Sequence, residues 1–241
     1  MKIYLCNYSD LSYRKRQEDM TIRNNSTKTF DEVFSYTREW LETTDFYKEN
    51  RHILDQPRGN GYWLWKPYII LDAMSKMEYG DAIFYIDCGD VFGKNFNKVI
   101  QKEFQNRDYL VRFSSNKQEK YTKADCFVYM DCFNFTYLNA PQVEAGVIGF
   151  KKTETNINFI NEWLSYAKDE RILTDIPNQS EAKNADSFID HRHDQSILNN
   201  LLVKYNFLYH SDNLNSFTSC NIEEKDLQPL LSVLDRLDNP L

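Results

Sequence analysis

"GDAIFYIDCGDVFGK", residues 80–94, is an apolar run that stops at Asp87 and meets a second acid at Asp90. Five apolar residues in succession, Ala82 to Ile86, show no alternation with polar ones. A strand of that kind is buried on both faces, as in parallel sheets covered by helices. In open α/β sheets ligands bind beyond the carboxyl ends of the strands, so Asp87, Cys88, Gly89 and Asp90 are expected to face a cleft. Two carboxylates across a glycine-bearing turn can converge on a hard divalent cation, Mg²⁺ or Mn²⁺, completed by waters and phosphate oxygens. The same acids can instead brace the turn and cap the next helix.

Working outward, "KIYLC" (residues 2–6) reads as a first buried strand, followed by a polar stretch to about Thr29. "TFDEVFSYTREWLETTDFYKEN" has Phe30, Val33, Phe34, Trp40 and Leu41 at helical spacing and is expected to be helical, with a break near Thr44. "QPRGNGYWLWKPYIILDAMSKMEYGD" reads as a glycine-bearing loop and a helix, with Pro67 in its first turn and Gly80 at its end. Beyond Asp90 come a helix ("FNKVIQKEF"), two strands ("DYLVRF", "EAGVIGFKKT") and two helices ("NINFINEWLSYAKDERIL", "DQSILNNLLVKYN"). "FLYHS" is a further strand candidate and "EEKDLQPLLSVLDRL" a last helix. Alternating strands and helices imply an α/β fold with a mixed, mostly parallel sheet flanked by helices. One domain over 1–241 is expected, with 220–241 as a C-terminal helical tail.

With 241 residues, 41% of them hydrophobic, the chain can fill one core. Its 29 basic and 36 acidic residues leave a net charge of −7, which argues against duplex nucleic acid as a partner. "MKIYLCNYSD" is too short in apolar residues for a signal segment and no later run matches a membrane span, so a cytoplasmic location is expected. Cys6, Cys88, Cys126, Cys132 and Cys220 are odd in number and lack CxxC spacing, and read as free thiols.

Four further places bear chemistry-competent residues. In "RHDQSILNNLLVKY", Asp194 shares the inward face of Ile197 and Leu198, where it either caps the helix or points with Gln195 into the cleft. His191 and His193 read as polar surface residues. In "GNGYWLWKPY", Trp63 and Trp65 suit a packed aromatic plug, whereas Lys66 works against the helix dipole and calls for an anionic ligand or a partner carboxylate. In "QVEAGVIGFKKT", Glu144 precedes Ala145 and Gly146, small residues that let a substrate approach the backbone. His210 is either a metal ligand or a hydrogen-bonded histidine.

Together "GYWLWKPYIILDAM", "YIDCGD", "EAGVIGF" and "HDQSILNNL" resemble nucleotide-sugar-dependent glycosyltransferases of the GT-A fold, particularly small bacterial enzymes of cell-surface polysaccharide synthesis and, more distantly, the glycogenin-like and galactosyltransferase-like family. The resemblance spans roughly residues 1–210 and implies a single Rossmann-like GT-A domain. It implies that the Tyr8 loop holds the nucleotide, that Asp87, Asp90 and His210 are the metal candidates, and that Lys66 and Arg58 help carry diphosphate charge. It also implies that Asp194, Gln195 and Glu144 are the catalytic candidates, with Trp65, Ala145, Gly146 and His193 around the sugars. Gly89 stands where the familiar Asp-x-Asp motif has its second acid, and Asp90 is displaced by one. The implied cofactor is Mn²⁺ or Mg²⁺, and the implied partners are a nucleotide-sugar donor and a saccharide or glycolipid acceptor, with the inner face of a membrane open to peripheral contact. The "DQ" pair leans toward retention of configuration in a hexosyl transfer. The competing readings are a metal-dependent nucleotidyl or phosphoryl transferase, which would want a glycine-rich loop that "CNYSDLSYRKR" lacks, and a non-catalytic carbohydrate-binding domain.

Overall fold

Strands β1 (Ile3–Ser9), β2 (Glu32–Thr37), β3 (Ala82–Ile86), β4 (Tyr109–Lys117) and β5 (Pro141–Lys151) form one sheet in the order β2-β1-β3-β5-β4. The structure is a computed structural model and describes residues 1–90, 92 and 96–207. β1 pairs in parallel with β2 and β3, while β5 runs antiparallel to β3 and β4. Only β5 therefore opposes the common direction, which is the mixed, mostly parallel α/β sheet expected from the sequence.

The five longer helices are α1 (Arg14–Thr27), α2 (Trp65–Ser75), α3 (Phe96–Phe104), α4 (Glu154–Ala167) and α5 (Asp194–Lys204). They cover both faces of the sheet. Tyr4, Cys6, Tyr8, Ile83 and Tyr85 point into a core shared with α2, α4 and α5. Their alternates Ile3, Leu5, Ala82, Phe84 and Ile86 point into a second core with Met20 of α1 and Phe96, Ile100 and Phe104 of α3. Continuous apolarity in β3 is thus explained by two covered faces, each large side chain there contributing about 1.5–3 kcal/mol by burial.

Several expectations need correction. The polar stretch before Thr29 contains α1, whose inward positions Gln17, Met20 and Asn24 are mostly polar. Gln17 Nε2 donates to Asn7 Oδ1 and Tyr36 O, its Oε1 accepts from Ser9 Oγ, and Asn24 bonds the Phe30 backbone in both directions. Hydrogen bonds rather than an apolar stripe dock this helix. Residues 32–37, expected to be helical, form the edge strand β2, and only the following short turns Arg38–Glu42, Asp45–Glu49 and Arg51–Leu54 are helical. Gly80 does not end α2, which closes at Lys76; its φ of +88° serves the turn into β3 instead. Cys6, Cys88, Cys126 and Cys132 are buried free thiols. No helix among the described residues is long and apolar enough to cross a membrane. "FLYHS" beyond Phe207, "EEKDLQPLLSVLDRL", the tail 220–241, His210 and Cys220 lie outside the described residues.

Candidate active site

β2 and β3 lie on opposite sides of β1 and both run parallel to it, so the chain switches side across β1 and opens a crevice at the carboxyl ends of β1 and β3. A pocket of about 540 Å³ occupies that place. Tyr8, Ser9 and Asp10 line it from β1, and Asp87, Cys88, Gly89 and Asp90 from β3. The Cys88 thiol donates to Tyr8 O at 3.1 Å and ties the two strand ends together.

The acidic turn leans on β5. Asp87 N donates to Gly146 O at 2.8 Å, and Asp90 N donates back to Asp87 O at 2.9 Å. A Cβ on Gly146 would stand 2.8 Å from Asp87 Oδ2 and 3.5 Å from Asp90 Oδ2, so one oxygen of each carboxylate converges on the space this glycine leaves open. The other Asp87 oxygen accepts from Tyr85 Oη and sits 3.9 Å from Lys66 Nζ. Burial pushes the Asp90 carboxyl up, the charges of Asp87 and Glu144 add to that, and Arg112 opposes it. Two convergent carboxylate oxygens with an open side suit Mg²⁺ or Mn²⁺, which binds through one or two carboxylates and keeps water and phosphate as its other ligands. Among the described residues, no cluster of three or more His, Cys, Asp or Glu side chains forms a fuller metal site.

Lys66 and Asp194 form a buried ion pair at 3.0 Å, each side chain less than 5% exposed. Lys66 also donates to Ala145 O at 3.2 Å. Of the two explanations the sequence allowed for Lys66, a partner carboxylate is the one realised. Burial opposes its charge, but Asp194 and Asp87 outweigh that and hold it above the ordinary lysine range. Burial pushes Asp194 up to about 6, against the pull of Lys66. Asp194 opens α5, its carboxyl accepting from the backbone N–H of Gln195 while it faces Lys66 on the inward side, as its spacing implied. Gln195 Oε1 accepts from Ala145 N at 3.1 Å, so α5 and β5 are joined beside the acidic turn.

The glycine-bearing loop is a left-handed turn in which Gly59, Asn60, Gly61, Tyr62 and Trp63 all have positive φ. Non-glycine residues pay roughly 1–2 kcal/mol each for that conformation, and such strain collects at ligand-binding places. The turn aims Trp63, Trp65 and Asn60 at the pocket, where Trp65 stacks on Tyr8 with centroids 3.9 Å apart and donates from Nε1 to Gly59 O. Asn60 Nδ2 donates to Asp10 Oδ2 at 2.8 Å. Gly61 is required because a Cβ there would lie 2.5 Å from Leu54 Cα.

Other sequence candidates are placed differently. Arg58 does not line the pocket; it pairs with Asp175 at 3.2 Å and Asp190 at 2.7 Å. His191 and His193 are buried rather than on the surface. His193 stacks on Trp63, and its Nδ1 meets Leu173 O at 2.8 Å. Glu144 is half-exposed and paired with Arg112 across β4 and β5. The pocket-lining residues Asp10, Tyr13, Arg16 and Asn60 were not singled out in the sequence. Only their position after β1 or beside the paired glycines hinted at them, because α1 was not legible.

No family model matches the chain, and no curated protein matches it. Among solved structures, it is similar to a glycosyltransferase involved in the glycosylation of the major capsid of PBCV-1, at 14% identity over 79% of this chain and 81% of that one, with a TM-score of 0.40. It is also similar to the bifunctional glycosyltransferase WbbM in its apo form, at 11% identity over 83% of this chain and 37% of that one, with a TM-score of 0.46. Both neighbours are glycosyltransferases, and the resemblance to them is distant.

Proposed function

We propose that the chain is a GT-A-type glycosyltransferase that moves a hexosyl group from a nucleoside-diphosphate sugar to a saccharide or glycolipid acceptor, in surface-glycan synthesis at the cytoplasmic side of a membrane. The observation that carries the reading is the convergence of Asp87 Oδ2 and Asp90 Oδ2 over Gly146 at the mouth of the switch-point pocket. Glycosyl transfer builds positive charge at the anomeric carbon while negative charge gathers on the leaving diphosphate. Bound between Asp87 and Asp90, Mn²⁺ or Mg²⁺ would supply a cation for that diphosphate.

The chain's own residues do the rest. Tyr8 and Trp65 form the aromatic wall for the nucleotide, with Asp10 and Asn60 as polar groups at its edge. Lys66 neutralises Asp194 and steadies Asp87, so it positions the acids instead of meeting the substrate. With its Oε1 held by Ala145, Gln195 has its amide Nε2 left to donate to a sugar hydroxyl over Ala145 and Gly146. Glu144, half-exposed at the edge of the site with one carboxylate oxygen paired to Arg112, has its other oxygen left for an acceptor hydroxyl. Retention of configuration is the outcome we attach to the Asp194 and Gln195 pair, and NMR of the first anomer formed checks it.

Thermal-shift titration with UDP-, GDP-, CMP- and dTDP-sugars, with and without Mn²⁺, tests the proposal. Metal-dependent stabilisation by at least one donor is expected, and no stabilisation by any nucleotide would overturn it. Asp87→Ala should fold normally yet lose at least about 100-fold in transfer, as when a main charge-stabilising group is removed. Wild-type turnover in that variant would remove the acidic turn from the mechanism.

A further inference from the structure

Among the described residues, the pocket is lined by three carboxylates, Asp10, Asp87 and Asp90, and by one cationic side chain, Arg16. An anionic ligand entering it meets an unfavourable field unless a cation faces it. Lys66 is not that cation, since it is buried and engaged by Asp194, Asp87 and Ala145 O, and Arg58 is engaged by Asp175 and Asp190. Arg16 is different: among the described residues its guanidinium makes no ion pair or hydrogen bond, and its contact is with the ring of Tyr13, 5.5 Å from the centroid.

The backbone that carries it is fixed. Gln17 is buried and bonded to Asn7, Ser9 and Tyr36, and Arg14 is held by Ser9 Oγ at 3.2 Å and Glu39 at 2.6 Å. The first turn of α1 is therefore docked on the end of β1 with one guanidinium left over. That guanidinium lies against the acidic turn, its Nη1 3.5 Å from where a Cβ of Gly89 would be. That is an ordinary van der Waals separation, so the guanidinium reaches the turn without strain. The turn offers carboxylates on its Gly146 side and meets an arginine on its Gly89 side.

The geometry points to Arg16 as the anion-binding residue of this pocket, receiving the diphosphate of the bound nucleotide through its planar fork of N–H donors. This rests on the nucleotide-sugar reading above, with Arg16 taking the part the sequence offered to Lys66 and Arg58. Bidentate guanidinium–phosphate bonds are among the stronger charge-assisted ones, so losing them should weaken binding about 10- to 100-fold.

The test is calorimetric titration of wild type, Arg16→Gln, Arg16→Lys and Lys15→Gln with inorganic pyrophosphate in Mg²⁺, followed by a panel of nucleoside diphosphates. Lys15 is exposed on the same helix, does not line the pocket, and carries the same charge. Pyrophosphate affinity should fall at least tenfold in Arg16→Gln, partly recover in Arg16→Lys, and stay within about twofold in Lys15→Gln. Equal binding by wild type and Arg16→Gln, equal losses in Arg16→Gln and Lys15→Gln, or no pyrophosphate binding by wild type would each overturn the inference. Pyrophosphate binding that depends on Arg16 with no binding of any nucleoside diphosphate would leave the anion site standing and defeat the nucleotide-sugar reading instead.

Discussion

Lys66 is 2% exposed and sits in a helix turn where its charge opposes the dipole, so its stability rests on Asp194 at 3.0 Å. Removing one partner strands the other's charge in the core. Lys66→Met should therefore destabilise the fold by about 3–5 kcal/mol, and Asp194→Asn added to it should recover a large part of that loss. Urea unfolding of the two single variants and the double measures the coupling; strictly additive losses would show that the pair is not a unit. The sequence announced this residue through its misfit at a helix start, and announced Asp194 through its inward spacing. It left open whether Lys66 faces a ligand or another side chain, because the partner is 128 residues away and no local pattern spans that distance.

Among the described residues, the longest irregular segment is the strap between Leu173 and Asp194, which has neither helix nor strand. Segments of that length without regular structure are usually functional or mobile, and this one is fastened at several points. Asp125, fully buried, accepts from Gln179 N at 2.6 Å, Ser180 N at 3.0 Å and Ser180 Oγ. Burial alone would raise its carboxyl, but these hydrogen bonds outweigh it and hold the group below the ordinary range. Lys123 Nζ donates to Thr174 O at 2.7 Å, and Arg58 clamps Asp175 and Asp190. Asp125→Ala should cost about 2–4 kcal/mol, since it frees several donors at once, and should open the strap to trypsin at Lys183. Limited proteolysis reads this directly, and an unchanged cleavage pattern would contradict it. Elements with a continuous or clearly periodic apolar pattern, β3, α2, α4 and α5, were legible in the sequence. α1 is not, because its buried face carries glutamine and asparagine with Met20 as its one apolar member, and β2 reads as a helix because Phe30, Val33 and Phe34 fit a helical period.

For the whole molecule, the strap's two histidines set a pH dependence. His191 is held well below 6.5 by burial, with the nearby charges of His193 and Lys123 adding to the effect, and burial also lowers His193. A histidine whose folded pKa is depressed leaves the unfolded chain binding more protons, so stability is lost as pH falls below about 6.5. Asp194 acts in the opposite sense. Its pKa is raised from 3.8 to about 6, so the folded state gains on protonation as pH falls through that window. His191, the most strongly shifted of these groups, sets the sign, with His193 on its side and Asp90, also raised by burial, on the side of Asp194, so unfolding free energy should drop between pH 7 and pH 5. Urea midpoints at the two pH values check the sign, and His191→Gln should flatten the dependence; a rise in stability toward pH 5 would refute it.

By itself the sequence determined the α/β class, the two-faced burial of β3, the acidic turn that follows it and the inward acid of α5, because each rests on residue spacing within one element. Only the tertiary structure decided that Asp87 and Asp90 converge over Gly146, that Lys66 answers Asp194, that Arg58 is engaged elsewhere and that Arg16 stands free at the pocket. These depend on strand order and on the docking of α1. Both are set by non-local pairing and by polar contacts that leave no period along the chain.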